Sequence, residues 1–285
     1  AYAFAKTDQA MADLEEHESA EVQALVAARL GHKSTIEETR TQRFINISQV
    51  TWPGNLGALW MPMPLRYSGA HTHRLSGDWK LNVQNLPRGG TLRRSLKAPP
   101  GYTIVTCDAA QIEARLNAYV AGQDDLVEAF RRGEDIYSLF AGEEIYQRPV
   151  NKKEHPKERF VGKQAILGLG YNMGAPKFTT KVRTDSRLQL GEEMIMELTE
   201  GTAIVQAYRR KYAAISGGWR KLQSLMPELA RRNSQIQYGP MVFEHQAVRG
   251  PNGQRLFYRD LKQEVIDGQT RWRFVCGKTH KDLYG

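Results

Sequence analysis

The first part of the chain carries apolar residues at helical spacing. Residues 1–44 predict two or three helices, and one of these shows an apolar stripe of Val22, Leu25, Val26 and Leu30. Positions three or four residues apart lie on one face of a helix. Gly31 follows the stripe, and glycine commonly ends helices. The pattern therefore predicts a helix that stops at Gly31.

The residue composition changes in the middle of the chain. Residues 52–100 are rich in Gly, Pro and Asn, with short extended pieces such as "MPMPLRY" and "LNVQNLP". An apolar, β-branched run at residues 102–107 then predicts a buried strand that ends on Asp108. Gln111 and Glu113 open a helical pattern that continues to about Arg232.

The last part of the chain predicts short strands. The segments "MVFEHQAVRG", "GQRLFYRDL" and "TRWRFVCG" lie around Pro-Asn-Gly and Asp-Gly turns. A β-containing platform interrupted by a long helical insertion, an α+β fold, accounts for the whole pattern.

Composition narrows the class of protein. The 285 residues are 41% hydrophobic and 25% charged, which is typical of a globular chain rather than a disordered one. The net charge of +9 favours polyanionic partners. The two cysteines indicate neither a disulfide framework nor a metal site. No apolar run indicates a signal peptide or a membrane span. We therefore expect a cytoplasmic protein without a membrane partner.

Charge is also segregated along the chain. Residues 108–144 contain nine acids and three arginines, net −6, and residues 148–184 contain nine Lys or Arg and two acids, net +7. Such blocks are often solvated faces. A carboxylate region followed by a cationic one also suits a metal beside phosphates.

Asp108 is the first candidate for chemistry. A carboxylate at the end of a strand points into a substrate crevice and is a hard oxygen ligand for Mg²⁺. The alternative is that Asp108 caps the following helix.

The segment "ERFVGKQAILGLGYNMG" is the second candidate. Arg159 and Lys163 are four residues apart and share a helical face, and Tyr171 lies two turns beyond Lys163. Two cations and an aromatic ring can bind a triphosphate and stack on a base. A plain surface helix is the alternative, although like charges at this spacing repel unless an anion is shared.

The segment "THRLSGDWKLNVQNLPRGGTLRRSL" is the third candidate. It is rich in Arg, Asn and Gln, the usual donors to phosphates, sugars and base edges: Arg74, Asn82, Gln84, Asn85, Arg88, Arg93 and Arg94. Amide side chains in such a loop also commonly satisfy turns.

Together the segments resemble a known family. "CDAAQIEARL" followed by "AGQDDLVEAFRRGEDIY" resembles motif A of the family A DNA polymerases, and "RFVGKQAILGLGYNMG" resembles their motif B. "HTHRLSGDWKLNVQNLP" is similar to the primer–template segment before motif A, and "IVQAYRRKYAAISGGWRKL" to later fingers helices. The resemblance runs from about Leu65 to Gly285 and is nearest to bacteriophage members.

The resemblance implies a right-hand polymerase fold: an antiparallel palm sheet with a large helical fingers insertion and a largely absent thumb. Residues 1–64 would be a helical segment at the base of the thumb, and 65–111 the first part of the palm with the motif A strand. Residues 112–237 would be the fingers, with the motif B helix at about 156–172, and 238–285 an incomplete second part of the palm.

The resemblance also implies roles for individual residues. Asp108 and the Ala109 carbonyl would bind metal, and Asp108 and Lys163 would be catalytic. Glu113 would exclude ribonucleotides, Arg159 and Lys163 would hold the triphosphate, and Tyr171 would lie by the templating base. The implied sets are Gln111, Glu113, Arg159, Lys163, Leu167 and Tyr171 for the nucleotide, and Arg74, Asn82, Gln84 and Asn85 for DNA.

Some positions depart from the family pattern. Leu167 replaces an aromatic residue, Asn172 a glycine, and Tyr137 a histidine that contacts phosphate. Ala109 and Ala110 replace Tyr and Ser.

No His-Asp dipeptide of motif C is found, and "GKTHKDLYG" resembles the segment that precedes it. We therefore expect the second catalytic carboxylate, the thumb and any exonuclease domain to lie outside this chain. Asp260, Asp267 and Asp282 are weak substitutes for that carboxylate.

The function implied is template-dependent addition of dNTPs to a primer 3′ end by two-metal phosphoryl transfer, in phage-type replication in a bacterial cytoplasm. Two Mg²⁺ per complete site are expected, with Mn²⁺ as a substitute. Primer–template DNA, dNTPs, and a chain carrying motif C or a processivity factor are the expected partners. The isolated chain would be inactive alone. Two alternatives stay open: a DNA- and nucleotide-binding subunit of a split polymerase, and a metal-dependent nuclease.

Overall fold

The computed structural model describes residues 9–31, 36–51, 60–70, 74–87, 89–266, 268–277 and 279–283. The chain divides into two compact units, Ala1–Asp108 and Ala109–Gly285. Helices predominate, and the strands form small antiparallel sheets, so the predicted helix-rich α+β class is confirmed. None of the described helices combines the length and apolar character needed to cross a bilayer.

Three helices begin the first unit: α1 Gln9–Glu15, α2 Ala20–Gly31 and α3 Ile36–Ser48. The prediction of two or three helices is confirmed, and α2 ends at Gly31 as expected. The apolar stripe of α2 is only partly covered, because Val26 is buried but Leu25 is 72% exposed.

The rest of the first unit is built from short elements. Strands β1 Leu65–Arg66 and β2 Ser76–Gly77 pair antiparallel, and they are followed by a 3₁₀ turn, Val83–Asn85, and a short helix, α4 Thr91–Ser95. Leu81, Leu86 and Leu92 are buried in this part of the unit.

The prediction of a strand at residues 102–107 is wrong. Residues 102–109 form neither helix nor strand, and all of them are exposed, with Val105 at 85% and Tyr102 at 74%. Among the described residues, no strand pairs with this segment. β-branched composition favours a strand only where a neighbour satisfies the backbone and covers the side chains, so here the segment stays exposed to solvent.

The second unit begins with seven α-helices and one π-helical turn among its described residues. They are α5 Ile112–Ala121, α6 Asp124–Arg131, α7 Ile136–Phe140, the π turn Ala141–Tyr146, α8 Pro156–Leu169, α9 Ala175–Leu190, α10 Leu198–Lys211 and α11 Ala213–Ala230. The prediction of helices from Gln111 to about Arg232 is confirmed. Helix α8 begins where the motif B helix was predicted, at Pro156, a residue suited to the first helical turn, but it ends three residues before position 172.

An aromatic cluster lies at the centre of the helices. Phe140 stacks on Tyr212 at 5.9 Å between ring centroids, and Tyr208 packs edge-on against Tyr212 at 5.0 Å. Helices α7 and α8 approach very closely at Gly162, where a Cβ would lie 2.2 Å from the Tyr137 carbonyl oxygen. Only glycine permits that distance.

Two antiparallel sheets follow α11. The first has the order β3 Gln235–Tyr238, β4 Met241–Glu244, β5 Ala247–Arg249, β6 Arg255–Phe257. The second has the order β7 Arg259–Ile266, β8 Gln269–Cys276, β9 Thr279–Leu283. The strands predicted from the three apolar segments are confirmed, and a core of Leu225, Met226, Leu229, Phe243 and Leu261 joins α11 to them. The Asp-Gly turn includes Asp267, which lies outside the described residues.

Candidate functional site

Asp108 does not cap the next helix. Helix α5 begins at Ile112, and the capping position is Gln111, whose backbone is left-handed at φ 56°. The Asp108 side chain is exposed, and no described residue pairs with it. The capping alternative is therefore not supported, and the carboxylate is accessible to a ligand.

Arg159 is held in place by an acid. Its Nε and Nη2 donate to the two carboxylate oxygens of Asp135 at 2.5 and 3.1 Å, and its side chain is 20% exposed. Burial alone would raise the pKa of Asp135, but hydrogen bonds from Arg159 and Ser138 outweigh it and hold that pKa below its usual value. The guanidinium is thus fixed by a bidentate contact, a geometry that gives direction as well as energy.

The Tyr137 ring lies beneath this arginine. The guanidinium carbon of Arg159 is 5.2 Å from the Tyr137 ring centroid. Burial raises the pKa of Tyr137, and hydrogen bonding from Gln111 opposes that rise. Tyr137 therefore links two of the predicted nucleotide-binding residues, Gln111 and Arg159.

Lys163 lies one turn further along α8. Its Nζ donates to the Gln189 side-chain oxygen at 2.8 Å, from helix α9. Burial, together with Arg159 and Lys181, lowers the pKa of Lys163. A bound polyanion would relieve this charge crowding, so the position suits a phosphate.

A cleft of about 490 Å³ brings together the other predicted nucleotide-binding residues. Glu113, Leu167 and Tyr171 all line it, together with Asn117 and Trp219. Asn117 donates to the Gly170 carbonyl at 3.1 Å, which fixes the turn that carries Tyr171. Tyr171 is 68% exposed.

Asn172 lies in the turn that follows α8. Its backbone is left-handed at φ 56°, a conformation that glycine adopts freely and asparagine tolerates best among other residues. Its side-chain oxygen accepts from Arg209 Nη2 at 3.1 Å, a contact that glycine could not make.

The predicted DNA-binding residues lie in the first unit. Asn82 accepts from the Gln84 backbone N–H at 3.1 Å and so caps the 3₁₀ turn, which is the structural alternative for an amide in a loop. Arg74, Gln84 and Asn85 are exposed. Arg88 lies outside the described residues.

Two partners were missed by sequence reasoning. Asp135 stands two residues before Tyr137, so its place in "GEDIY" was a usable signal for the pairing with Arg159. Gln189 is 26 residues from Lys163, and nothing in the sequence links the two.

The described residues contain no group of three or more His, Cys, Asp or Glu placed to hold a metal. Of the weak substitutes for a second carboxylate, Asp282 is paired with Arg271 and Arg273 at 3.2 and 3.1 Å. Asp260 lies in β7, and Asp267 is outside the described residues.

Comparison with known proteins gives one family. The model of DNA polymerase family A matches residues 61–237 of the 285. The chain is 34% identical over 111 residues to DNA polymerase I of Chloroflexus aurantiacus, which is 38% of this chain and 12% of that protein. It is 29% identical over 150 residues to DNA polymerase I of Pseudomonas aeruginosa, 51% of this chain and 15% of that protein.

A thermostable DNA polymerase I of Thermus thermophilus is 27% identical over 148 residues, 50% of this chain and 16% of that protein. The chain therefore spans less than a fifth of the length of each of these relatives.

Proposed function

Because the chain belongs to DNA polymerase family A, we propose that it is the part of a DNA-directed DNA polymerase that receives and selects the incoming dNTP. The observation that carries the proposal is the cleft lined by Glu113, Leu167 and Tyr171. Lys163 stands one turn from Leu167 on α8, so the cleft and the cations belong to one helix.

Each side chain has a role that its environment supports. Arg159, already aligned by Asp135, and Lys163, crowded by other cations, bind the triphosphate. Glu113 limits space at the sugar, and Tyr171 offers its exposed ring to the templating base. Gln111 and Leu167 complete the nucleotide site.

The larger organisation follows the family. Helices α5–α11 form the fingers, and residues 65–111 and 238–285 contribute to the palm. Arg74, Gln84 and Asn85 are exposed and contact primer–template DNA, and Asn82 supports them by capping their turn. We propose phage-type replication in the cytoplasm of a bacterial host as the setting of the reaction.

Asp108 and the Ala109 carbonyl would hold a divalent ion, Mg²⁺ by preference. The fit rests on donor chemistry, because the exposed Asp108 carboxylate and the carbonyl oxygen of the exposed residue Ala109 are hard oxygen ligands. When bound, the ion neutralises charge on the phosphates during phosphoryl transfer. The residues of this chain position the triphosphate in line with the primer.

Primer extension with Mg²⁺ and the four dNTPs tests the proposal, beside equilibrium binding of dNTP and primer–template. Lys163→Gln is expected to weaken dNTP binding roughly 10- to 100-fold, because a charge-assisted hydrogen bond contributes about 1.5–3 kcal/mol. Lys157→Gln is the matched control, since Lys157 is also on α8 but pairs with Glu192 on the surface.

The outcomes separate the alternatives. Template-directed extension that is lost in Asp108→Asn supports the polymerase. Binding of both ligands without extension supports a nucleotide- and DNA-binding subunit. Degradation of DNA that stops in Asp108→Asn supports a nuclease, and failure to bind either ligand contradicts the proposal.

A further inference from the structure

Helix α9 presents a polar face to the lysine of α8. Lys181, Asp185 and Gln189 follow one another at intervals of four residues, so they lie on one side of α9. Lys163 contacts this side through the hydrogen bond from its Nζ to the Gln189 side-chain oxygen, at 2.8 Å. Asp185 and Lys181 also act on Lys163 electrostatically, the first raising and the second lowering its pKa. The surroundings of the Lys163 charge are therefore supplied in large part by α9.

The carboxylate on this face is already engaged. Lys181 Nζ lies 2.6 Å from an Asp185 carboxylate oxygen, and the two residues are one helical turn apart. Arg159, the other cation that acts on Lys163, is paired with Asp135. Among these five residues three cations face two acids, so one positive charge is left over, and it is that of Lys163.

The side chain that holds Lys163 is a neutral acceptor. A lysine ammonium carries three N–H donors, and the Gln189 oxygen takes one of them, so the others stay available for a ligand. A carboxylate in the same place would also hold the lysine, but it would cancel the charge that attracts an anion. The amide fixes the direction of Lys163 and leaves its charge intact.

Lys163 gains from being held because lysine has a long and flexible side chain. Such a side chain loses much rotamer freedom when it binds a ligand, and less if a neighbour has already oriented it. Lys163 is only partly exposed, and Gln189 reaches it from the last turn of α9, a helix that packs against α8. The orientation of the lysine is thus imposed by a second helix.

We propose that Gln189 is a positioning residue for the triphosphate of the incoming dNTP: it orients Lys163 as a neutral acceptor and so preserves the charge of the lysine for the phosphates. Gln189 acts through Lys163 and is not itself a ligand. This inference rests on the proposed function, since it takes the anion on Lys163 to be the triphosphate of a dNTP. The residue type at position 189 then sets the affinity for dNTP.

Two substitutions separate the hydrogen bond from the charge. Gln189→Met keeps an unbranched side chain of similar length and good helix propensity but removes the strong acceptor. Gln189→Glu keeps an acceptor and adds a negative charge. Gln263→Met and Gln263→Glu make the same changes at an exposed glutamine of β7 and serve as matched controls. Thermal melting of every variant checks that it is folded.

The test measures equilibrium binding of a fluorescent dNTP with Mg²⁺ and a primer–template whose primer ends in a dideoxynucleotide, so that no incorporation follows. Gln189→Glu is expected to weaken binding roughly 5-fold, the upper end for a partly exposed ion pair that competes with the ligand. Gln189→Met should weaken it roughly 2-fold, because one long side chain loses its alignment. Both Gln263 variants should match the parent.

A double-mutant cycle shows whether Gln189 acts through Lys163. In the Lys163→Gln background, both substitutions of Gln189 should change dNTP binding by less than about 1.5-fold, because the group on which they act is absent. A purely structural role for Gln189 predicts a different result. The losses would then be the same with and without Lys163, and Gln189→Met would be worse than Gln189→Glu, which keeps the acceptor.

Losses that persist in the Lys163→Gln background, or a Gln189→Glu variant that binds dNTP as tightly as the parent, overturn the inference. The proposed function is judged separately, by dNTP binding of the parent and of Lys163→Gln. If Lys163→Gln weakens binding but neither substitution of Gln189 does, only the inference fails. If the parent binds no dNTP, both fail.

Discussion

The second unit contains two cationic regions, and they differ in which neighbouring side chains hold the charged groups. On α8, Arg159 is bound by both oxygens of Asp135, and Lys163 donates to Gln189. In a recess between α10 and α11 that is lined by Arg209, Arg210 and Arg220, the last two have no carboxylate partner among the described residues and are exposed.

The difference indicates two ways of recognising phosphate. A cation that a neighbour has already fixed loses little conformational freedom when it binds, so it can specify where one particular group will sit. An unrestrained arginine loses more on binding but can follow a mobile chain, and its affinity depends strongly on salt. The first suits a triphosphate that has to be held in one position.

The largest expected effect comes from breaking the fixed pair. Asp135→Asn should lower the free energy of unfolding by roughly 1–2 kcal/mol, because Arg159 would keep a charge in a largely buried position without its counter-ion. We place the value below that of a fully buried pair because the Asp135 side chain is 36% exposed. Urea denaturation measures it.

Two variants with small expected effects on stability serve as controls for the Asp135→Asn measurement. Glu192→Gln breaks the exposed pair with Lys157 and should cost less than about 0.5 kcal/mol. Arg210→Gln/Arg220→Gln should also leave stability within about 0.5 kcal/mol. Equal losses in Asp135→Asn and Glu192→Gln would show that Arg159 is no better held than a surface cation.

Acid should reduce the difference between the parent and Asp135→Asn. The folded-state pKa of Asp135 lies below its unfolded value near 3.8, so its contribution to stability is complete above that value and is lost as pH falls through the folded pKa. Melting temperatures recorded from pH 7 to pH 3 should converge below about pH 4. A gap that stays constant down to pH 3 would mean that the carboxylate is not the stabilising group.

The smallest effect concerns the contact between the two regions. Asn172 and Asn233 both have left-handed backbones, at φ 56° and 61°, and both are exposed. Asn172→Gly relieves the backbone but loses the Arg209 hydrogen bond, whereas Asn233→Gly only relieves the backbone. Denaturation should therefore place Asn172→Gly about 0.5 kcal/mol below Asn233→Gly. Identical values would remove Asn172 as a support for Arg209.

Much of the helical structure could be predicted from the sequence, because helices depend on local periodicity and on local signals at their ends. Gly31 ends α2 as its residue type indicates, and α8 begins at Pro156, where the family resemblance implied the start of the motif B helix. The hairpin strands were also predicted, since their turns lie close by in sequence. The run at residues 102–107 failed because a strand depends on a partner, and composition says nothing about where that partner is.

The candidate site could be predicted from the sequence to about the same extent as the fold. Family spacing drew attention to Glu113, Leu167 and Tyr171, and the structure gathers these three in one cleft. Their individual roles remain predictions. The pairing of Lys163 with Gln189 and the grouping of Arg209 with Arg220 could not be foreseen, because each joins two helices whose packing is set by apolar residues elsewhere.

The helix crossing at Gly162 has a consequence for how this protein tolerates sequence change. Position 162 has no room for a methyl group against the Tyr137 carbonyl, so any side chain there forces α7 and α8 apart. Asp135 immediately precedes one of these helices and Arg159 lies on the other. Replacing Gly162 would thus separate the Arg159 donor from its Asp135 acceptor. The charge pair therefore constrains which residues are tolerated at position 162, although Gly162 does not contact the pair.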